Sequence, residues 1–147
     1  MAISDFFRYH AFGRDLGLAK HNFSSHTLLF TLHTNSYIPT LAGDAVFADV
    51  DSEIATGGGY TNGGLTIPVT SFLQSGGLAD LICENVVINA SAAIPAWRYV
   101  VVRNGTTSGG PLIGYGDYGA PVSIANGESF AFNFNYLSRL LRISVIA

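Results

Sequence analysis

The sequence predicts an all-β fold, an antiparallel β-sandwich or jelly roll with one or two short helices, and three observations carry that expectation. Apolar residues recur at every second position in several short runs, the period of a strand with one buried face. Gly, Asn and Pro punctuate those runs too closely for helices to fit between them. Seventeen glycines and abundant Thr, Val and Ile work against helix through backbone entropy and β-branching. No alternation of strand and helix is present, which argues against a doubly wound α/β fold. A length of 147 residues suits one domain with one core. No repeat or linker divides it, so residues 1–147 are expected to form a single β-sandwich domain, with 1–20 as a docking arm.

In chain order, Ser4 is a candidate N-cap for a turn or two of helix through Phe12, with Asp5 favourable near the positive helix end. From Thr27 to His33, Leu28, Phe30 and Leu32 alternate with Thr27, Leu29, Thr31 and His33, which predicts a half-buried strand. Asp44 is placed to cap a second helical turn over Ala45 to Asp51. Thr66 to Gln74 reads as a strand that Pro68, lacking an N–H, confines to a sheet edge or to the strand start. Asp80 to Ala90 and Trp97 to Arg103 are rich in Ile and Val, with breaks expected at Pro95 and Asn104-Gly105. Pro121 to Ala125 and Glu128 to Asn135 flank Asn126-Gly127, a pair suited to a type I′ turn, so they are expected to pair as a hairpin with Phe130, Phe132 and Phe134 on its core face. Leu141, Ile143 and Val145 alternate with Arg142 and Ser144 in a last strand, for seven or eight in all.

Charged residues are 12% of the chain, about half the ~25% of ordinary soluble domains. A surface so short of charge is expected to be covered in part by copies of the chain or by partners. Seven basic against ten acidic residues, with no basic run, is the wrong balance for nucleic acid. No window approaches the ~18 apolar residues of a membrane span, and the start lacks the features of a signal peptide, so synthesis in a cytoplasm is expected. The sequons at Asn22, Asn89 and Asn104 then carry no weight. Cys83, the one cysteine, lies in an apolar run that predicts burial.

Gly114-Tyr115-Gly116-Asp117-Tyr118-Gly119 fits the G-x-G-x-x-G pattern, but Pro121 and a β-like run follow where a dinucleotide loop needs a helix. A glycine-kinked strand with tyrosines packed across the sheet is expected instead. Gly57 to Gly64, five glycines in eight residues, lacks the Lys-Ser or Lys-Thr of a phosphate cradle and reads as a mobile or sharply bent loop. Asp49, Asp51 and Glu53 lack the spacing of a calcium loop and read as a solvated acidic face. His10, His21, His26 and His33 form no zinc-type pair, and no nucleophile elbow is present. No catalytic, cofactor or metal residues are assigned.

The ordering of Thr27 to Leu32, Asp49 to Ala55, Gly59-Tyr60-Thr61-Asn62-Gly63-Gly64, Trp97, Pro111 to Gly119 and Asn126-Gly127-Glu128-Ser129-Phe130 resembles a family of small tailed-bacteriophage virion structural proteins. It departs from them over Ser4 to Lys20 and at Leu140 to Ile143. The resemblance implies a place in the virion, more than one copy, and no catalytic residues. The expected function is a head decoration or cement protein, a dimer or trimer seated on the major capsid protein. Phe6, Phe7, Tyr9, Phe12, Tyr60, Tyr115 and Tyr118 are the candidate interface residues. The alternatives are a glycan- or receptor-binding fibre module, which would stack sugars on Trp97, Tyr60, Tyr115 and Tyr118, and a tail or head-tail joining protein.

Overall fold

A computed structural model describes residues 6–134 and 140–145. The fold is all-β, built from antiparallel sheets in a sandwich-like arrangement, as the sequence predicts. Its strands are β1 (Phe6–Arg8), β2 (Leu28–His33), β3 (Leu65–Ile67), β4 (Val69–Ser75), β5 (Leu78–Cys83), β6 (Val86–Asn89), β7 (Ile94–Asn104), β8 (Leu112–Ile124), β9 (Ser129–Phe132) and β10 (Leu141–Ser144). One helix, α1 (His10–Gly17), and one 3-10 turn, Phe47–Asp49, complete the described elements.

A five-stranded sheet in the order β1-β8-β7-β2-β3 forms one layer. The three-stranded sheet β10-β5-β4 and the ribbon β6-β9 face it across the core. Leu28, Phe30 and Leu32 of β2 and Trp97, Val100 and Val102 of β7 meet Leu81 and Cys83 of β5, Ile88 of β6, Phe132 of β9 and Leu141 of β10 there. Cys83 is buried as its apolar neighbours predict, and desolvation pushes its thiol pKa up to about 12.

The outer face of the five-stranded sheet is also covered. Tyr9, Tyr37, Val101 and Leu112 form a second apolar cluster on it, flanked by Tyr99 and Tyr115. Strand β2 is therefore buried on both sides, not half-buried, with Thr31 and His33 as inaccessible as Leu32. Alternation still marks which residues face the main core, but loop residues seal the side that alternation assigns to water.

Pro68 divides the predicted 66–74 strand in two. Its missing N–H ends β3 at the edge of the large sheet, and the chain crosses to become β4, an edge of the three-stranded sheet. The 80–90 run likewise splits, with β5 and β6 in different sheets on either side of Glu84 and Asn85. Gly76 and Gly77, both at positive φ, make the two-residue turn between β4 and β5, the backbone of a type I′ hairpin. Pro95 does not break β7, because the ladder shifts register between Ile94 and Trp97 and leaves it outside the paired positions.

The hairpin expected at Asn126-Gly127 is not formed. Only Gly127 of the pair has positive φ, so the turn is not type I′. The Glu128 N–H closes it on the Ala125 carbonyl at 3.0 Å, while the Gly127 N–H donates to Ala90 at the end of β6 at 2.7 Å. That anchor sends β9 to pair with β6, from Val86↔Phe132 to Asn89↔Ser129, and not back onto β8. The phenylalanine face survives the change of partner: Phe132 and Phe134 are buried and Phe130 half-buried.

At the N-terminus, residues 6–8 form an edge strand and not a helix, and α1 starts only at His10. The proposed cap Ser4 lies outside the described residues. Asp44 does not cap the 3-10 turn, because Tyr37 Oη and the Thr40 N–H donate to its carboxylate at 2.7 and 2.9 Å. Asp49 reaches back to the Ala45 and Val46 amides in its place.

Candidate functional site

The candidate interface residues divide into two sets. Tyr9, Phe12 and Tyr60 are 1, 5 and 1% exposed, so their rings belong to the chain's own core and present nothing to a partner. Phe6 and Tyr115 are half-buried, while Phe7 and Tyr118 are 41 and 40% exposed. Phe6 and Phe7 are held there by β1, which pairs Phe6, Phe7 and Arg8 with Gly116, Tyr115 and Gly114. Residues 6–17 are therefore integral to the fold and not a loose arm.

The G-x-G-x-x-G segment lies within the long strand β8, with neighbours on both edges. Glycine is needed at 114 because a Cβ there would sit 2.4 Å from the Phe7 carbonyl and 2.6 Å from the Phe6 ring. Tyr115 and Tyr118, three residues apart on the strand, pack on opposite sides. Tyr115 meets Phe7, Tyr9 and Tyr99, and Tyr118 meets Trp97 and Phe130. With Trp97 fully buried, the four rings considered for sugar stacking form no shared platform.

Beside this face, Tyr9 Oη and Tyr37 Oη lie 2.8 Å apart, and Tyr37 donates onward to Asp44. Burial raises both phenol pKa values and keeps them protonated, so the chain of hydroxyls closes the loop through Tyr37 onto the sheet. The Gly57–Gly64 loop is sharply bent around Tyr60. Its hydroxyl donates to Glu53 Oε1 at 2.6 Å and accepts from the Leu32 amide at 3.0 Å. Glu53 also takes the Gly63 N–H at 2.6 Å. Gly64 is at positive φ, and a Cβ there would meet the Phe30 carbonyl at 2.8 Å.

Glu53 therefore does not belong to a solvated acidic face with Asp49 and Asp51. Among the described residues no cluster of His, Cys, Asp and Glu could hold a metal ion. His33 is fully buried, with Nδ1 2.6 Å from the Asp51 carbonyl and Nε2 2.7 Å from Thr31 Oγ1. The carbonyl fixes Nδ1 as the donor.

The charged groups are turned to internal use. Every described basic side chain has a partner within the chain. Arg14 and Lys20 reach Asp15 at 3.0 and 3.1 Å, Arg98 reaches Asp117 at 2.8 Å, and Arg142 reaches Asp80 at 2.6 Å. Arg8 donates to the Leu140 carbonyl, and Arg103 lies over the Phe47 ring while donating to the Gly63 carbonyl. Large apolar side chains are left exposed at Phe7, Leu18, Ile38, Leu73, Val87, Tyr118 and Val145. The Arg98–Asp117 and Arg142–Asp80 pairs and the second covered face escaped sequence reading because each joins residues far apart in the chain. Compared with known proteins, the chain matches no family model, no curated protein and no solved structure.

Proposed function

We propose that this chain is a non-enzymatic structural protein of a bacteriophage virion, a decoration or cement module that seats on the major capsid protein as a homo-oligomer. The observation that carries the reading is the use of charge. A chain with few ionisable groups gives its described Lys and Arg side chains partners within the chain, which leaves a surface sparse in charge, with large apolar side chains exposed among the few charged ones. Such a surface suits close contact with protein, where unpaired charge would be costly to desolvate. The sequence resemblance supplies the bacteriophage setting. The glycan reading has no comparable support, since Trp97 and Tyr60 are core residues.

The test is cosedimentation of the purified chain with heads of the bacteriophage that encodes it, followed by electron microscopy. Copies in icosahedral register over the shell are the expected result. Copies confined to one vertex, or a chain that stays in the supernatant as a monomer, would overturn the proposal.

A further inference from the structure

The loop from Lys20 to His26 is held against the turn after β7 by the buried Asn104 side chain, with the Thr107 hydroxyl donating to the Lys20 carbonyl beside it. Asn104 Oδ1 accepts from the Thr106 and Thr107 amides at 2.9 and 3.2 Å, which fixes the direction of its amide group. Nδ2 then faces three acceptors, His26 Nδ1 at 2.9 Å, the Lys20 carbonyl at 3.0 Å and His21 Nδ1 at 3.3 Å. His26 Nδ1 also accepts the Asn22 backbone N–H at 3.2 Å. With two hydrogens for three acceptors, Nδ2 shares them, most weakly with His21, and each ring contributes to the hold only while its Nδ1 is bare. A proton there turns an acceptor into a donor aimed at Asn104, and at His26 it also opposes Asn22.

The Thr107 hydroxyl oxygen lies 3.5 Å from His26 Nδ1, at the limit of hydrogen-bond reach and so a weak acceptor for a protonated ring. Lys20 adds positive charge, and Asp15 on α1 is already paired with Lys20 and Arg14. His21 packs against Phe12 and Phe23 at 5.2 and 5.8 Å, surroundings that penalise an imidazolium. Phe23 in turn meets Phe72 of β4 edge-on at 5.3 Å. Phe23 to Thr27 form one wall of a groove of about 520 Å³, and the other wall is the Thr66 to Leu73 corner of β3 and β4.

We infer that this loop is a proton-operated latch: proton uptake by the His21 and His26 pair releases it from Asn104, draws Phe23 off Phe72 and opens the groove along β4. His26 is partly exposed. Desolvation keeps the His21 pKa below the usual imidazole value, with the charges of His26 and Lys20 acting the same way against Asp15.

Hydrogen exchange of the full chain tests the latch. Between about pH 7.5 and pH 5, protection at 22–26 and 106–107, corrected for intrinsic rates, should fall by about tenfold while β2 and β7 keep theirs. Asn104→Asp preserves the acceptor for Thr106 and Thr107 but offers oxygen to the protonated rings, so its pH dependence should reverse. Should that variant not fold, His26→Gln keeps an acceptor that takes no proton and should remove most of the fall. Wild-type protection that ignores pH over this range, or acid loosening in either variant equal to wild type, would overturn the inference.

Discussion

Replacing Tyr60 by Phe removes one oxygen atom and should cost more than most surface changes. Strand β2 is paired with β3 only from Leu28 to Phe30, so the Leu32 amide beyond it has no strand neighbour on that side. The Tyr60 hydroxyl takes its place at 3.0 Å, and Ile54 supplies the matching donor to the Leu32 carbonyl at 3.0 Å. Tyr60→Phe strands a buried backbone N–H, worth about 1–3 kcal/mol, and deletes a hydrogen bond to a carboxylate, worth about 1.5–3 kcal/mol. Because the two losses share one group and Glu53 keeps its bond from Gly63, about 2–4 kcal/mol is expected. Glu53→Gln retains an acceptor for both donors and should cost less than Tyr60→Phe. Urea unfolding followed by tryptophan fluorescence measures both. A loss below about 0.5 kcal/mol for Tyr60→Phe would refute the claim that its hydroxyl stands in for a strand.

Phe132 is fully buried between Phe30, Phe130 and Trp97, with ring centroids at 4.9, 4.9 and 5.4 Å, so Phe132→Ala should cost about 3–5 kcal/mol in the same assay. Gly114→Ala would drive a methyl into the Phe7 carbonyl and displace β1, read as fast amide exchange at residues 6–8 with β7 still protected. Stability should also fall towards acid. Burial lowers the pKa of His33 and His21 more than nearby carboxylates raise it, so their contribution is complete above about pH 6.5, where the unfolded rings are neutral, and is lost as pH falls through the folded values. Arg98 holds Asp117, and the Val46 and Ala45 amides hold Asp49, below the ordinary carboxylate value, which adds a second loss below about pH 3.9. Desolvation raises Tyr9, Tyr37 and Tyr60, whose contribution is complete below about pH 10 and lost as pH rises further. Urea midpoints across pH check each sign; a midpoint unchanged between about pH 7 and 5 would contradict the histidine part.

The sequence by itself determined most of the strand-forming runs, though it read the β1 residues as helix, along with the core side of β2 and β9 and the burial of Cys83. These follow from side chains alternating along a few consecutive residues, a local property. It also placed a break at Asn104-Gly105, where β7 ends, and marked Pro68 as unable to donate to a ladder, but not that the chain changes sheets there. Which strand pairs with which was decided only in the tertiary structure. Asn126-Gly127 specifies a bend, but the carbonyl waiting at Ala90 gives β9 to β6. The aromatic residues show the same limit. Phe7 and Tyr9 are near neighbours in sequence, yet one is exposed at a sheet edge and the other is sealed under Tyr37 and Tyr115. Burial of an aromatic ring depends on what arrives from elsewhere in the chain, and residues 28 to 106 positions away supply that cover here.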